Sequence, residues 1–216
     1  MTLYRDSAVV VRTHKLAEAD RIVVLLTAEH GKVRAVAKGV RKTTSRLGGR
    51  LEPLNHVALL LHQGRDLDVV SQAETIEHFR PLHDELDGLT RGVALLEAVD
   101  QLTHEREPVP RLYRMLVGAL RTLAAVPSPL VVPAFYWKLL AEDGVRPELD
   151  ACLLCGATDA LVAFDLDEGG VLCRSCRRGR PISSEALSLL RRVLGGDLVG
   201  VLRESPGPAT HELESL

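Results

Sequence analysis

In the first 80 residues, hydrophobic positions come in short runs separated by polar turns, which is the pattern of β-strands rather than helices. The segment Val33–Lys38 alternates apolar or small residues with basic ones, so one strand face is expected to be buried and the other positive. Gly31 stands just before it, where a hairpin turn needs a residue that tolerates positive φ. Strands are predicted at Ala8–Val11, Ile22–Thr27, Val33–Lys38, His56–His62 and Leu67–Gln72.

Five short strands joined by tight turns predict a small barrel at the N-terminus. An OB-fold has this strand count, and an SH3-like barrel would give a similar pattern. The hydrophobic period changes at Phe79-Arg80-Pro81, and later apolar residues recur at intervals of three and four. This change predicts a domain boundary followed by helices.

The first of these helices is predicted from about Leu82 to Glu105. Its apolar face is expected to consist of Leu86, Leu89, Val93, Leu96 and Val99. A second helix is expected to end at Pro127-Ser128-Pro129, and a third at Gly144; together the three would form a small antiparallel bundle.

Two local features complete the helical part. The aromatic run Phe135-Tyr136-Trp137 is expected to pack in a core, with a partner-binding groove as the alternative. A fourth helix is predicted to begin after a cap at Ser183 or Ser184 and to end at Gly195-Gly196.

The chemistry of the chain is concentrated in its four cysteines. They form two C-x-x-C pairs, Cys152 with Cys155 and Cys173 with Cys176, separated by seventeen residues. Two such knuckles can place four thiolates around one tetrahedral zinc ion, which predicts a zinc ribbon. Four sulfur ligands close the coordination shell, so the metal is expected to be structural rather than catalytic.

Disulfides or buried thiols are the alternatives for these cysteines. The segment Met1–Asp6 carries charge and lacks the apolar region of a signal peptide, so a reducing compartment is expected, where disulfides are rare. No apolar run has the length of a membrane span. Together these features predict a cytoplasmic protein that holds zinc through cysteine.

Charge is distributed unevenly along the chain, although its net value is only −2. The segment from Lys32 to Arg50 contains seven basic residues and no acidic one, whereas Asp84 to Glu107 is largely acidic. We call the first the basic segment; it is expected to form a surface loop and adjoining hairpin that bind a phosphate backbone, or else simply a solvated surface. The predicted DNA-binding residues are Lys32, Arg34, Lys38, Arg41, Lys42, Arg46 and Arg50.

A second basic cluster surrounds the second cysteine pair. It could be a further nucleic-acid surface or an exposed rim around the metal, and the sequence does not choose between them. Its members are Arg174, Arg177, Arg178 and Arg180.

Aromatic residues make up only 3% of the chain, and few fall in the barrel. Stacking of bases on aromatic rings should therefore contribute little, and binding is expected to be electrostatic and indifferent to base sequence. If five cations contact the phosphates of a single strand, a plot of the logarithm of the binding constant against the logarithm of salt concentration should have a slope of roughly −3.5.

No catalytic motif stands out. The sequence has no phosphate-binding loop, no nucleophile elbow and no H-E-x-x-H pair, and its histidines are scattered. Asp66 and Asp68 share one strand face and could bind a divalent ion, but a solvated strand edge is far commoner. A metal-dependent nuclease is thus the weaker alternative, and the chain is expected not to be an enzyme.

The order of these features resembles the RecO family of bacterial DNA-repair proteins. The resemblance rests on Ala37-Lys38-Gly39 with Arg41, on Leu51-Glu52-Pro53, on the helical middle, and on the two C-x-x-C pairs followed by Pro181-Ile182-Ser183. It covers nearly the whole chain and implies a non-enzymatic protein. It also implies binding of single- and double-stranded DNA, strand annealing, binding of RecR, and help in loading RecA onto DNA coated with single-strand-binding protein.

The overall expectation is a multidomain α+β protein, acting in the cytoplasm on nucleoid DNA. An OB-fold barrel (1–80) would precede a helical domain (81–150 and 182–216) that contains an inserted four-cysteine zinc module (151–181). A further C-terminal helix, usual in the family, is expected to be missing beyond Leu216. The alternative function is a zinc-ribbon protein–protein adaptor whose DNA binding is incidental.

Overall fold

The computed structural model describes residues 2–126 and 128–216. Met1 and Pro127, which belong to two of the segments considered above, lie outside the described residues. The chain divides into two compact units, Met1–Ala125 and Val126–Leu216. The domain limits derived from the sequence remain predictions.

The first unit is built on a closed five-stranded barrel. Its strands follow the order β1-β2-β3-β5-β4, and β4 closes the barrel against β1. All pairs are antiparallel except β3 with β5, which pair in parallel over two residues. The prediction of a small OB-like barrel is confirmed. The strands are β1 (Leu3–Lys15), β2 (Arg21–Thr27), β3 (Lys32–Ala37), β4 (His56–His62) and β5 (Asp68–Glu77).

The barrel is filled by alternate residues of its strands, as period-two packing requires. The segment between β3 and β4 also contributes, because Val40 and Leu51 are buried in this core and Leu47 packs against it. The expectation that this whole segment lies on the surface is therefore wrong: apolar side chains anchor it while its cations stay outside.

Three helices complete the first unit: α1 (Arg80–Asp84), α2 (Leu86–Leu102) and α3 (Pro110–Ala125). The single helix predicted over this region is interrupted at Glu85, whose backbone is extended. The predicted apolar face of α2 is only partly correct, because Leu86, Leu89 and Val93 are exposed. Gly92 faces Leu54 instead, and a Cβ at this glycine would lie 2.8 Å from a Leu54 methyl carbon. The buried residues of α2 are Gly92, Leu95, Leu96 and Val99.

A buried carboxylate, Asp68, ties the start of β5 to its surroundings. It accepts hydrogen bonds from the Tyr4 hydroxyl (2.5 Å), the Arg106 guanidinium (2.7 Å) and the Gly64 N–H (2.9 Å). Burial alone would raise the pKa of Asp68, but these hydrogen bonds outweigh it, so the pKa is lowered. Asp68 is thus a structural residue, and it is not available to form an ion site with Asp66.

Replacing Asp68 by asparagine is expected to destabilise the fold by about 2 kcal/mol at neutral pH, because the Arg106 guanidinium and Tyr4 hydroxyl lose a charged acceptor. The folded-state pKa lies below the unfolded value of about 3.9, so the stabilisation is complete well above that pH and disappears as pH falls through the folded-state pKa. Urea unfolding at pH 7 and at acid pH measures both effects. Asp66→Asn is the control, since Asp66 is exposed and should change stability by less than about 0.5 kcal/mol. Equal stability of the two variants would contradict the assignment.

The second unit combines helices with a small sheet. Its helices are α4 (Val131–Glu142), α5 (Ser184–Gly195), α6 (Leu198–Arg203) and α7 (Pro208–Ser215), and its strands are β6 (Leu161–Asp165), β7 (Gly170–Cys173) and β8 (Arg180–Pro181). The sheet has the order β7-β6-β8. Helix α4 packs on α5, so the three helices expected to form one bundle fall in different units.

One of two local predictions in the second unit is confirmed in full and the other in part. Phe135 and Trp137 are buried, and the Trp137 ring packs edge-on against Phe164 at 5.3 Å, as a core aromatic does. Tyr136, the middle residue of the run, is exposed, so core packing is wrong for it. The Ser183 hydroxyl accepts a hydrogen bond from the Ala186 N–H and caps α5, and Gly196 ends that helix with φ of 103°. No helix among the described residues has the length and apolar character needed to cross a membrane.

Candidate metal centre and nucleic-acid interface

The four cysteines meet at one point of the second unit. All four are free thiols, and their sulfur atoms lie within 4.8 Å of one another. The Cys155 and Cys173 sulfurs are 3.6 Å apart. Zinc with Zn–S bonds of about 2.3 Å holds its sulfurs about 3.8 Å apart, so the arrangement fits a tetrahedral ion. Among the described residues this is the one group of cysteine, histidine and carboxylate side chains close enough to hold a metal.

Tight backbone turns bring the sulfurs together. In the first knuckle the Gly156 N–H donates to the Cys152 carbonyl at 2.9 Å, and Gly156 has a φ of 73°. In the second, Cys173 ends β7 and its carbonyl accepts from the Cys176 N–H at 3.1 Å. Gly156 therefore takes the left-handed conformation that this tight turn requires, which glycine adopts without steric cost.

The sulfur cluster is electrostatically suited to a cation. The Cys173 backbone N–H and further backbone groups lower the pKa of the Cys152 thiol to about 6. Hydrogen bonds with the Cys155 and Cys173 sulfurs raise the pKa of the Cys176 thiol to about 12. Neighbouring thiols therefore resist ionising together, and a divalent ion would provide the charge that holds four thiolates at this distance.

The basic segment divides into paired and unpaired cations. Lys32 donates to the Asp100 carbonyl (2.7 Å) and lies 3.2 Å from its carboxylate, while Arg34 forms a 2.9 Å ion pair with Glu105. Two of the predicted DNA-binding residues, Lys32 and Arg34, are therefore already paired with acidic side chains. Their partners were missed because they lie far along the chain, although the acidic character of the 84–107 region was a signal.

Three other cations of the segment remain open to solvent. Lys38, Lys42 and Arg46 are exposed, and none contacts a carboxylate in the described part of the chain. They occupy the turns between β3 and the short 3₁₀ helix Gly49–Leu51. A phosphate could approach all three without displacing an acidic partner.

The two remaining arginines bind backbone carbonyls. Arg41 donates from its guanidinium to Glu18 (2.8 Å) and Ala17 (3.2 Å) in the β1–β2 loop. Arg50 donates to the Ala73 carbonyl in β5 at 2.7 Å. Both keep their charge, because a carbonyl does not neutralise a guanidinium.

The outer face of the barrel is partly closed on its β2 side. Val24 and Leu26 alternate with the core residues Val23 and Leu25 and so point outward, yet both are buried. OB-folds often bind oligonucleotides across strands 2 and 3. Here β2 is covered by protein and the cations of β3 are paired, which leaves the loop between β3 and β4 as the accessible part of the basic segment.

The second basic cluster is likewise mixed. Arg178 pairs with the Asp165 carboxylate at 2.6 Å and with Glu168 at 3.4 Å, and Arg180 donates to the Ser215 carbonyl. Arg174 and Arg177 are exposed and contact no carboxylate among the described residues. Two of these four arginines therefore hold the module together rather than face a ligand.

A comparison with protein families matches both halves of the chain. The model described as recombination protein O N-terminal matches residues 1–79, and the one described as recombination protein O C-terminal matches residues 83–212. Similar proteins occur in three bacteria, all named DNA repair protein RecO. The Cutibacterium acnes protein is 44% identical to this chain, and the match covers 91% of this chain and 84% of the relative. The Frankia casuarinae protein is 46% identical, with 94% of this chain and 86% of the relative covered. The protein of a Nocardioides species is 46% identical, with 90% of this chain and 84% of the relative covered. All three relatives are named as a DNA repair protein and none is named as an enzyme, which agrees with the predicted non-enzymatic role.

Proposed function

Because the chain belongs to the RecO family and has its role in DNA repair and recombination, we propose that it is a DNA-binding recombination mediator. It binds single- and double-stranded DNA, anneals complementary strands, and with RecR helps to load RecA on DNA coated with single-strand-binding protein. It does so in the cytoplasm, on nucleoid DNA.

The observation that supports DNA binding most directly is the solvent-facing charge of Lys38, Lys42 and Arg46 on one anchored loop. Tyr4 and Phe79 are the aromatic residues of the barrel region, and Phe79 is buried, so base stacking has little to act through. Contact with the sugar-phosphate backbone leaves the pairing edges of the bases free. Positive charge placed between two polyanions then favours annealing.

Zinc is the proposed occupant of the cysteine cluster. Cys152, Cys155, Cys173 and Cys176 would hold it, and a closed set of four sulfurs supplies folding energy rather than a reactive site. The exposed Arg174 and Arg177 beside it are proposed as a second contact for DNA.

The test is a titration of fluorescent single-stranded oligonucleotides between about 50 and 200 mM salt. The log–log slope should lie between about −2 if three cations of the loop bind phosphates and about −3.5 if five do. Unrelated base sequences should bind alike. A slope near zero would refute electrostatic binding. If the protein retards no oligonucleotide in a mobility-shift assay at moderate salt, the result would favour the adaptor alternative, in which the zinc ribbon binds another protein.

A further inference from the structure

The cations of the loop between β3 and β4 differ in what their donor groups contact. We infer that Arg41 and Arg50 are positioning residues, which fix the two ends of this loop, and that Lys38, Lys42 and Arg46 are the residues that contact phosphate. The inference rests on the proposed function and goes beyond it by separating two roles within one basic surface.

The start of the loop is fixed to the β1–β2 loop by four hydrogen bonds. The Arg41 guanidinium donates to the Glu18 and Ala17 carbonyls, and the Arg41 N–H donates to the Ala19 carbonyl at 3.0 Å. Two residues earlier, the Gly39 N–H donates to the Asp20 carboxylate at 2.7 Å. Backbone and side chain of Arg41 thus act together as one attachment.

The end of the loop is attached to β5 and to the barrel interior. Arg50 donates to the Ala73 carbonyl, the Asn55 side chain donates to the Gly49 carbonyl at 2.8 Å, and Leu51 is fully buried. The segment between the two attachments carries Lys42 and Arg46, and Lys38 precedes the first of them.

A guanidinium suits this role because its N–H groups are fixed in one plane at the end of a long side chain: one terminal nitrogen of Arg41 reaches two carbonyls, and one of Arg50 reaches the Ala73 carbonyl. A lysine ammonium is a single point on a flexible chain. Fixing the loop before DNA arrives removes an ordering cost that binding would otherwise bear. Lysine at position 41 or 50 keeps the charge but not the planar donor geometry of these contacts. Charge and positioning can therefore be varied separately.

The experiment compares Arg41→Lys and Arg50→Lys, singly and combined, with Lys38→Gln, Lys42→Gln and Arg46→Gln in the full-length protein. The arginine variants should bind single-stranded DNA about three- to tenfold more weakly with an unchanged salt slope, since no charge is lost. Each glutamine variant should reduce the magnitude of the slope by about 0.7. Arg65→Lys, at an exposed arginine of the β4–β5 loop, is the control and should behave as wild type.

Amide hydrogen exchange of residues 38–50 gives a second readout that does not need DNA. It should become faster in the two arginine variants and stay unchanged in the glutamine variants. Wild-type affinity and exchange in the Arg41→Lys, Arg50→Lys double variant would overturn the inference. An Arg41→Gln variant provides a second check. If the magnitude of its salt slope falls by about 0.7 while its amide exchange stays unchanged, Arg41 contacts phosphate and the inference is also overturned. Absence of DNA binding by the wild-type protein would instead refute the proposed function, and the two failures are distinct.

Discussion

Replacement of Cys173 by serine is expected to unfold the cysteine module and abolish its metal binding. The apolar core beside the sulfurs is small, consisting of Cys152, Ala163, Leu172 and Cys173 with few partly buried neighbours. Such a module depends on its ion, because structural zinc contributes on the order of 10–16 kcal/mol to folding in small zinc domains. We expect close to one zinc per wild-type chain by elemental analysis, close to none in the variant, and rapid proteolysis within residues 148–182.

The matched control for this substitution is Ser175→Ala. Ser175 lies in the same knuckle, two residues from Cys173, and its side chain is exposed. The Ser175→Ala protein should retain the metal content and protease resistance of the wild type. A Cys173→Ser protein that kept its zinc and its proteolysis pattern would show that the four sulfurs do not form one metal centre. Treatment of the wild-type protein with a strong chelator should reproduce the effect of the cysteine variant.

Reversal of the three solvent-facing cations, Lys38, Lys42 and Arg46 to glutamate, should weaken single-strand binding by roughly a hundredfold or more near 0.1 M salt and abolish annealing. Three favourable phosphate contacts become repulsive, and electrostatic attraction supplies most of non-specific binding. Arg41 is left intact, because its guanidinium holds the β1–β2 loop and its loss would also disturb the loop. Fluorescence anisotropy measures the affinity, and the rate at which complementary oligonucleotides pair measures annealing.

The control carries the same change of net charge at another place. Arg65, Arg114 and Arg203 are exposed and lie outside the basic segment, so their joint replacement by glutamate should reduce DNA binding far less. Thermal unfolding of both triple variants shows whether the fold is preserved. Equal loss of binding in the two proteins would mean that net charge, rather than this loop, determines affinity.

Much of the fold could be predicted from local patterns. The five strands, the hairpin at Gly31 and a helix cap at Ser183 or Ser184 depend on neighbours a few residues away, so period and turn chemistry predicted them. The face of α2 could not be predicted in this way. Apolar residues lie on more than one side of that helix, and the side that becomes buried carries Gly92, which approaches Leu54 closely in the folded chain.

The candidate site shows the same division. By itself the sequence determined that four cysteines are spaced for one metal ion and that seven cations follow one another without an acid between them, because both properties are set by order along the chain. Only the tertiary structure decided which of those cations face solvent. Lys32 meets Asp100 across 68 residues, and Arg41 and Arg50 bind carbonyls 23 or 24 residues away, so their availability depends on contacts that exist only after the chain has folded.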